Sequence, residues 1–259
     1  MTKLEEIIAY KRIELAQKKK LQPMARLEQE LKGKPPRRPF REAIAKPGRI
    51  GLIAEIKRAS PSAGPIQPDA DAVEVAKNYA GAGADALSVL TDQKFFSGKL
   101  EDLVRVREAV SLPVLRKDFL LEEYQVVEAA AAGADAVLLI VAILNRPMLR
   151  KLLGLARDLS LDALVEVHSE SEVGIALEVG AGIIGINNRD LKSFQVDLNT
   201  TQRLMKGIPG DRVAVSESGI RSKGDVEQVR RWGAGAILVG EELMSAPDVG
   251  CRIKELMGW

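Results

Sequence analysis

Five ionisable side chains stand where apolar runs of the chain come to an end. Glu55 and Lys57 close the run Gly51–Lys57, Lys117 follows Pro113–Arg116, Glu166 lies near the end of Ala163–Val167, and Glu217 follows Arg212–Ser216. Asn187 ends a further run, Ile183–Asn187, and Ser218 comes directly after Glu217. Along a strand, residues two apart share a face. Ile53, Glu55 and Lys57 therefore lie together, opposite the all-apolar set Leu52, Ala54 and Ile56. The apolar set suits a face covered by helices, so the charged set points the other way. By the same rule Leu115 goes with Lys117, Leu164 with Glu166 and His168, and Ile183 with Gly185 and Asn187, continuing towards Arg189. An inward charge is expensive unless paired. So many polar strand ends at one place read as a site for proton chemistry. Neighbouring ammonium and carboxylate groups shift one another's pKa, and this predicts a lysine made usable as an acid near neutral pH.

The element that must gather these ends is legible as a repeat. Four times a helical stretch passes through a glycine into an apolar run, at Gly83, Gly133, Gly180 and Gly233, with spacings of 50, 47 and 53 residues. A period near 50 is two strand–helix units, so four periods predict eight. The strands are expected at Gly51–Lys57, Ala86–Leu90, Pro113–Arg116, Ala136–Val141, Ala163–Val167, Ile183–Asn187, Arg212–Ser216 and Ala236–Val239. Nearly continuous Val/Ile/Leu/Ala content suits parallel strands covered by helices. Helical patterns such as Leu100–Ala109 and Pro147–Leu159 lie between them. The fold class is α/β, a (β/α)8 TIM barrel, which places chemistry at the C-terminal ends of its strands. A doubly wound open sheet fits less well, because no Gly-x-Gly-x-x-Gly follows the first strand.

Residues 1–48 stand outside the repeat. Thr2-Lys3-Leu4-Glu5 has the capping-box spacing, and Leu4, Ile7, Ile8 and Leu15 recur at helical spacing. Further helices are expected around Met24–Leu31 and Phe40–Ala45, separated by the helix-breaking Lys32–Pro39. The apolar stripe needs a partner, so the segment is read as a helical extension packed on the barrel, within one domain spanning 1–259.

Composition narrows the function classes. A net charge of +2 with 29% charged residues gives no support for a nucleic-acid or membrane partner. One cysteine, Cys251, and one histidine, His168, exclude an internal disulfide, a multi-cysteine metal site and His-rich metal sites. No signal core or long apolar span is present, so the expectation is a cytoplasmic protein. It is expected to use no metal, and to act as a monomer or at most a weak dimer. Barrels often bind phosphate at the loops after the seventh and eighth strands. Here those loops are Ser218-Gly219-Ile220 and Gly240-Glu241-Glu242. Ser218, Gly219, Gly240 and Glu241 are the expected phosphate contacts, with the acidic side chains turned away and main-chain donors facing the anion.

Ala54-Glu55-Ile56-Lys57-Arg58-Ala59-Ser60-Pro61-Ser62 resembles the first-strand signature of the indole-3-glycerol phosphate synthase family. The resemblance continues through Phe95-Phe96-Ser97-Gly98, Leu115-Arg116-Lys117-Asp118-Phe119, Val137-Leu138-Leu139-Ile140 and Leu164-Val165-Glu166-Val167. It extends through Gly185-Ile186-Asn187-Asn188-Arg189-Asp190-Leu191, Ser216-Glu217-Ser218-Gly219-Ile220 and Leu238-Val239-Gly240, and covers essentially the whole chain. It implies a cofactor-free ring closure, decarboxylation and dehydration of a small phosphorylated substrate, 1-(2-carboxyphenylamino)-1-deoxyribulose 5-phosphate.

The resemblance also implies roles. Lys117 is the general acid at the ketone, and Glu166 is the carboxylate that stabilises cationic charge and relays a proton. Lys57 holds the substrate carboxylate with Ser60 alongside, and Glu55 orients the lysines. Asn187 and Arg189 steady the site, Glu217 takes part in substrate binding, and Ser218 binds the sugar-derived chain or its phosphate. Phe96, Phe119, Leu139 and Leu191 wall the aromatic ring. Family members often carry Lys where this chain has Ala63, which removes any lysine contact from that loop position. His168 is read as a rim residue, and Cys251 and Trp232 as packing residues. Two alternatives fit less well. A phosphoribosylanthranilate isomerase-like barrel would need an early cysteine base that this chain lacks. A catalytically inactive barrel binding a phosphorylated ligand would not need the retained Glu and Lys residues.

Overall fold

In a computed structural model of the chain, residues 2–190 and 195–259 are described. Eight parallel strands close into a barrel: β1 (Gly51–Ile56), β2 (Ala86–Leu90), β3 (Val114–Lys117), β4 (Ala136–Ile140), β5 (Asp162–Val167), β6 (Ile183–Asn187), β7 (Val213–Glu217) and β8 (Ala236–Val239). Each pairs with its sequence neighbours, and β1 closes the ring on β8 through Gly51–Ala236 to Ala54–Val239. The expected strands are all present. β3 and β7 run one residue further than expected, because Lys117 stands in register with Leu90 and Glu217 with Leu238. Two residues expected beyond strands are thereby fixed within them.

The alternation read on the first strand holds around the barrel. Leu52, Ala54 and Ile56 join the layer between strands and helices, while Ile53, Leu115, Leu164 and Ile183 pack inside the barrel. The repeat glycines sit at helix-to-strand turns with φ of +95° at Gly83, +88° at Gly133, +81° at Gly180 and +103° at Gly233. A side chain is strained at such angles. Where Asp follows, its carboxylate ties the next strand to its neighbour. Asp85 accepts from the Leu52 N–H at 2.9 Å, and Asp135 from the Val114 N–H at 2.9 Å.

Three helices precede the barrel: α1 (Lys3–Leu21), α2 (Met24–Glu30) and α3 (Phe40–Ile44). Thr2 and Glu5 form the reciprocal cap that the sequence predicts. α3 stoppers the bottom of the barrel. Phe40 and Ile44 are fully buried among Ala86, Ala136, Ile183 and Ala236, the first residues of four strands. A side chain at Gly51 would lie 2.2 Å from the Ile44 carbonyl oxygen, so close is α3 to β1. Leu15 and Leu27 hold α1 and α2 against Tyr124 and Val127 of α7 (Glu123–Ala131).

The remaining helices are α4 (Ala72–Gly81), α5 (Gln93–Phe96), α6 (Leu100–Ala109), α8 (Arg146–Asp158), α9 (Glu170–Glu178), α10 (Asn199–Met205), α11 (Lys223–Arg231), α12 (Glu241–Met244) and α13 (Val249–Met257). Cys251, expected to pack, is exposed on α13. Trp232 caps the end of α11 and packs on the helix layer as expected. Among the described residues no helix is long and apolar enough to cross a membrane.

Removing the stopper leaves a large void under the strands. Phe40→Ala is expected to destabilise the fold by about 3–5 kcal/mol, measured by urea unfolding, with little effect on the turnover of folded protein. Unchanged stability would mean that α3 does not seal the barrel.

Candidate active site

The C-terminal mouth of the barrel gathers the charges that the strands carry. Lys117, ending β3, points its ammonium between three buried carboxylates. Its Nζ lies 3.5 Å from Glu55 Oε1, 3.5 Å from Glu217 Oε2 and 4.0 Å from Glu166 Oε2. Lys57 Nζ lies 3.0 Å from the other Glu55 oxygen. His168 approaches Glu166 with Nε2 at 3.3 Å, while its Nδ1 lies 3.3 Å from Glu172. The Asn187 side-chain Oδ1 accepts from Ser218 Oγ and from the Arg189 N–H, both at 3.0 Å.

Space for the carboxylates comes from two glycines. A Cβ at Gly185 would stand 2.1 Å from Glu217 Oε1, and one at Gly240 would stand 2.3 Å from Glu55 Oε2. Any other residue at either position would force its carboxylate to shift.

Electrostatics divides the three acids. Burial disfavours the Glu55 carboxylate, but the Lys57 and Lys117 ammonium groups outweigh it and hold its pKa below the usual range. Burial likewise opposes Glu166, and His168, Lys117 and Asn187 outweigh it, so Glu166 also stays ionised. At Glu217 burial wins. Lys117 offsets it in part, Glu166 and Glu55 add repulsion, and the carboxyl pKa rises. Both Glu217 oxygens are buried without a hydrogen bond, as suits the one acid of the group held back from ionising. Burial lowers the Lys117 pKa, but Glu55, Glu217 and Glu166 together raise it above the ordinary lysine range. The expected drift of this lysine towards neutrality is therefore not what the geometry gives. Its neighbours are anions, so it is a firmly held cation. His168 is pushed up to about 10, because Glu166 and Glu172 outweigh its burial.

A pocket opens above this floor. Its lining includes Glu55, Lys57, Ser60, Phe96, Lys117, Phe119, Glu166, Asn187, Arg189, Glu217, Ser218, Gly219, Gly240 and Glu241, all read from the sequence. The rings of Phe96 and Phe119 stand 6.0 Å apart on one wall. The segment after β1 turns back as a short hairpin, Ala59–Ser60 against Gly64–Pro65, and Ser60 Oγ accepts from the Ala63 N–H at 3.0 Å.

One expected wall residue is misplaced. Leu139 faces the helix layer, and Leu138 and Ile140 line the pocket instead. The alternation used on the first strand, applied to β4, puts Leu138 with the inward Ala136. Leu191 lies outside the described residues. Sequence reasoning missed Leu4 and Ile7 of α1, which close one side of the pocket, and Arg221 at its rim. It also missed Asn188, whose buried amide donates to Ser216 Oγ and the Ser218 carbonyl and so holds the turn carrying Ser218.

The two awkward acids of the last loop have partners. Glu241 lies 3.7 Å from Arg189, and Glu242 pairs with Arg252. Ser218 and Gly219, after β7, take left-handed backbone angles, φ +66° and +86°.

The raised Glu217 pKa has a sign that can be checked. A carboxyl that ionises later in the folded state than in the unfolded one costs stability as pH rises past the ordinary carboxylate range. Glu217→Gln removes this cost. Its melting temperature relative to the unsubstituted protein is expected to rise from about pH 5 to about pH 8 and to level off above that. A flat or falling difference would mean that Glu217 ionises normally.

The comparisons with known proteins identify the family and the fold. The family model described as indole-3-glycerol phosphate synthase matches residues 4–256. A protein of that name from Desulfosudis oleivorans is 50% identical over 224 residues, covering 85% of each chain. Another from Roseiflexus sp. is 46% identical and covers 99% of this chain and 98% of its own. One from Caldanaerobacter subterraneus subsp. tengcongensis is 48% identical, covering 98% and 97%. Among solved structures, a 3-hexulose-6-phosphate synthase superposes with a TM-score of 0.65 at 17% identity, covering 81% of this chain and 99% of its own. A thiamine phosphate pyrophosphorylase from Pyrococcus furiosus gives 0.62 at 19%, covering 84% and 96%. These two likenesses speak to the barrel alone. The full-length family match and the close relatives go further: this chain belongs to the indole-3-glycerol phosphate synthase family.

Proposed function

We propose that this protein converts 1-(2-carboxyphenylamino)-1-deoxyribulose 5-phosphate to indole-3-glycerol phosphate, with release of carbon dioxide and water. The observation that carries the reading is the Lys117 ammonium, held among Glu55, Glu166 and Glu217 at the floor of an aromatic-walled pocket. In the first step the ring carbon bearing the carboxylate attacks the ketone carbon. The carbonyl π pair moves to oxygen, and Lys117 delivers a proton there. A raised lysine pKa does not prevent this, because a developing alkoxide is a far stronger base than an amine. The carboxylates keep the ammonium aimed before the substrate arrives, so little reorganisation is needed during the reaction.

Ring attack leaves an iminium-like cation, and Glu166, ionised and close by, offsets that charge. Breaking the bond to the carboxylate then returns the pair to the ring and releases carbon dioxide. Loss of the new hydroxyl as water needs a proton on its oxygen and removal of one from the ring system. Lys57, or Lys117 once solvent has restored the proton it gave to the ketone oxygen, supplies the first, and Glu166 takes the second. Lys57 holds the substrate carboxylate, with Ser60 beside it. Glu55 orients both lysines, Glu217 lines the substrate's path, and Phe96 and Phe119 stack on the aromatic ring.

The phosphate takes main-chain donors at Gly219 and Gly240, with Ser218 alongside. The pairing of Glu241 with Arg189 and of Glu242 with Arg252 supports this, since it draws acidic charge away from the corner. The protein is inferred to work in the cytoplasm as a monomer. Its large exposed apolar side chains among the described residues, Ile13, Leu21, Val196 and Trp259, belong to three separate parts of the chain.

Indole fluorescence should appear when the substrate is added, and folded protein that gives none would overturn the reading. Lys117→Ala is expected to lower kcat by about a thousandfold with native circular dichroism. Near-normal turnover would remove Lys117 from its role. Gly219→Ala places a side chain at φ +86° and 2.5 Å from Val196 Cγ1. It is expected to raise KM about tenfold with a smaller change in kcat, and an unchanged KM would move the phosphate elsewhere.

A further inference from the structure

One buried cation takes no part in the chemistry above. Lys11, on α1, is 1% exposed, and its Nζ lies 2.8 Å from Asp92, 3.0 Å from Asp118 and 2.9 Å from Glu14. Burial works to lower its pKa, but Asp118 and Asp92 outweigh it and hold the ammonium charged. The two aspartates are the residues that shape the mouth beside it. Asp92 caps α5 by accepting from the Phe95 N–H at 2.8 Å, and α5 carries Phe96. Asp118 follows Lys117, accepts from the Phe119 N–H at 2.8 Å, and takes the Thr91 hydroxyl at 2.6 Å. Arg116 ties the same aspartate at 3.2 Å to Glu128 at 2.7 Å.

α1 grips α5 a second time on its outer side. The Tyr10 and Phe95 rings meet edge to face at 5.9 Å, with Lys94 Nζ 3.9 Å from the Tyr10 centroid. Leu4 and Ile7 of the same helix line the pocket. One ammonium on the extension thus joins the segments that follow β2 and β3, which carry Phe96 and Phe119, with Lys117 at the end of β3.

We propose that Lys11 is a positioning residue for the reaction: through Asp92 and Asp118 it fixes the acid Lys117 against the ring wall of Phe96 and Phe119. This rests on the role proposed for Lys117. Displacing a reacting group by about 1 Å can cost a hundredfold in rate.

The test compares Lys11→Met with Leu27→Ala at a temperature where both are folded. Leu27 anchors the extension from α2 and does not line the pocket. Lys11→Met is expected to lower kcat about tenfold or more with a smaller change in KM. Leu27→Ala should lower the melting temperature but leave kcat within about twofold. An unchanged kcat in Lys11→Met, or an equal loss in Leu27→Ala, would overturn the proposal. If Lys11→Met does not fold, Asp92→Asn decides. Its side-chain oxygen can still cap α5 while the tie to Lys11 is weakened, so kcat should fall severalfold, and normal turnover would overturn the proposal. Lys117→Ala is measured in parallel. If that variant turns over normally, the role of Lys117 fails. If it is inactive while Lys11→Met is normal, only the positioning role fails.

Discussion

A single ammonium among three carboxylates organises this protein. Lys117 is costly to bury, and so are Glu55, Glu166 and Glu217. Their mutual attraction makes the burial tolerable, and each needs the others in place. The group has two more carboxylates than its central ammonium can balance. Lys57 and His168 supply cations at Glu55 and Glu166. Glu217 has no such partner beyond Lys117, and its carboxyl is the one driven towards the neutral form. The site thereby contains a charged acid, two ionised carboxylates and one protonatable carboxyl within a few ångströms, in a pocket walled by Phe96 and Phe119.

The rest of the fold can be understood as what holds that arrangement still. Parallel strands in fixed register bring residues from four strand ends, β1, β3, β5 and β7, to one level. Gly185 and Gly240 leave the room that two carboxylates occupy. At the bottom, α3 fills the barrel, and at the top α1 closes one side of the pocket. The extension therefore serves both ends of the same barrel, with Phe40 and Ile44 below and Leu4, Ile7 and Lys11 above.

Much of this was legible in the sequence, because two simple periods carry it. The spacing of Gly83, Gly133, Gly180 and Gly233 sets the eight-unit architecture, and alternation along each strand sets which residues face inward. Where alternation was applied, as at Glu55 and Glu166, the side chains point as expected. The motif around Val137-Leu138-Leu139-Ile140 points to Leu139, whereas alternation gives Leu138, the residue that lines the pocket. Other features depend on contacts between distant parts of the chain. The stripe on α1 shows that Leu4 and Ile7 must be covered, but not that they border the site. Lys11 looks like any helix-surface lysine until Asp92 and Asp118 surround it. The direction of the Lys117 shift depends on how many carboxylates come near it, and no local pattern encodes that number.

The account stands on Lys117 being a cation held by its neighbours before substrate binds. Its side-chain nitrogen can be followed directly by NMR in protein carrying isotope-labelled lysine, with the signal assigned by its loss in Lys117→Ala. The account predicts that Lys117 remains an ammonium at pH values above 10.5, the ordinary lysine midpoint. A midpoint at or below that value would contradict the claim that Glu55, Glu166 and Glu217 hold it charged.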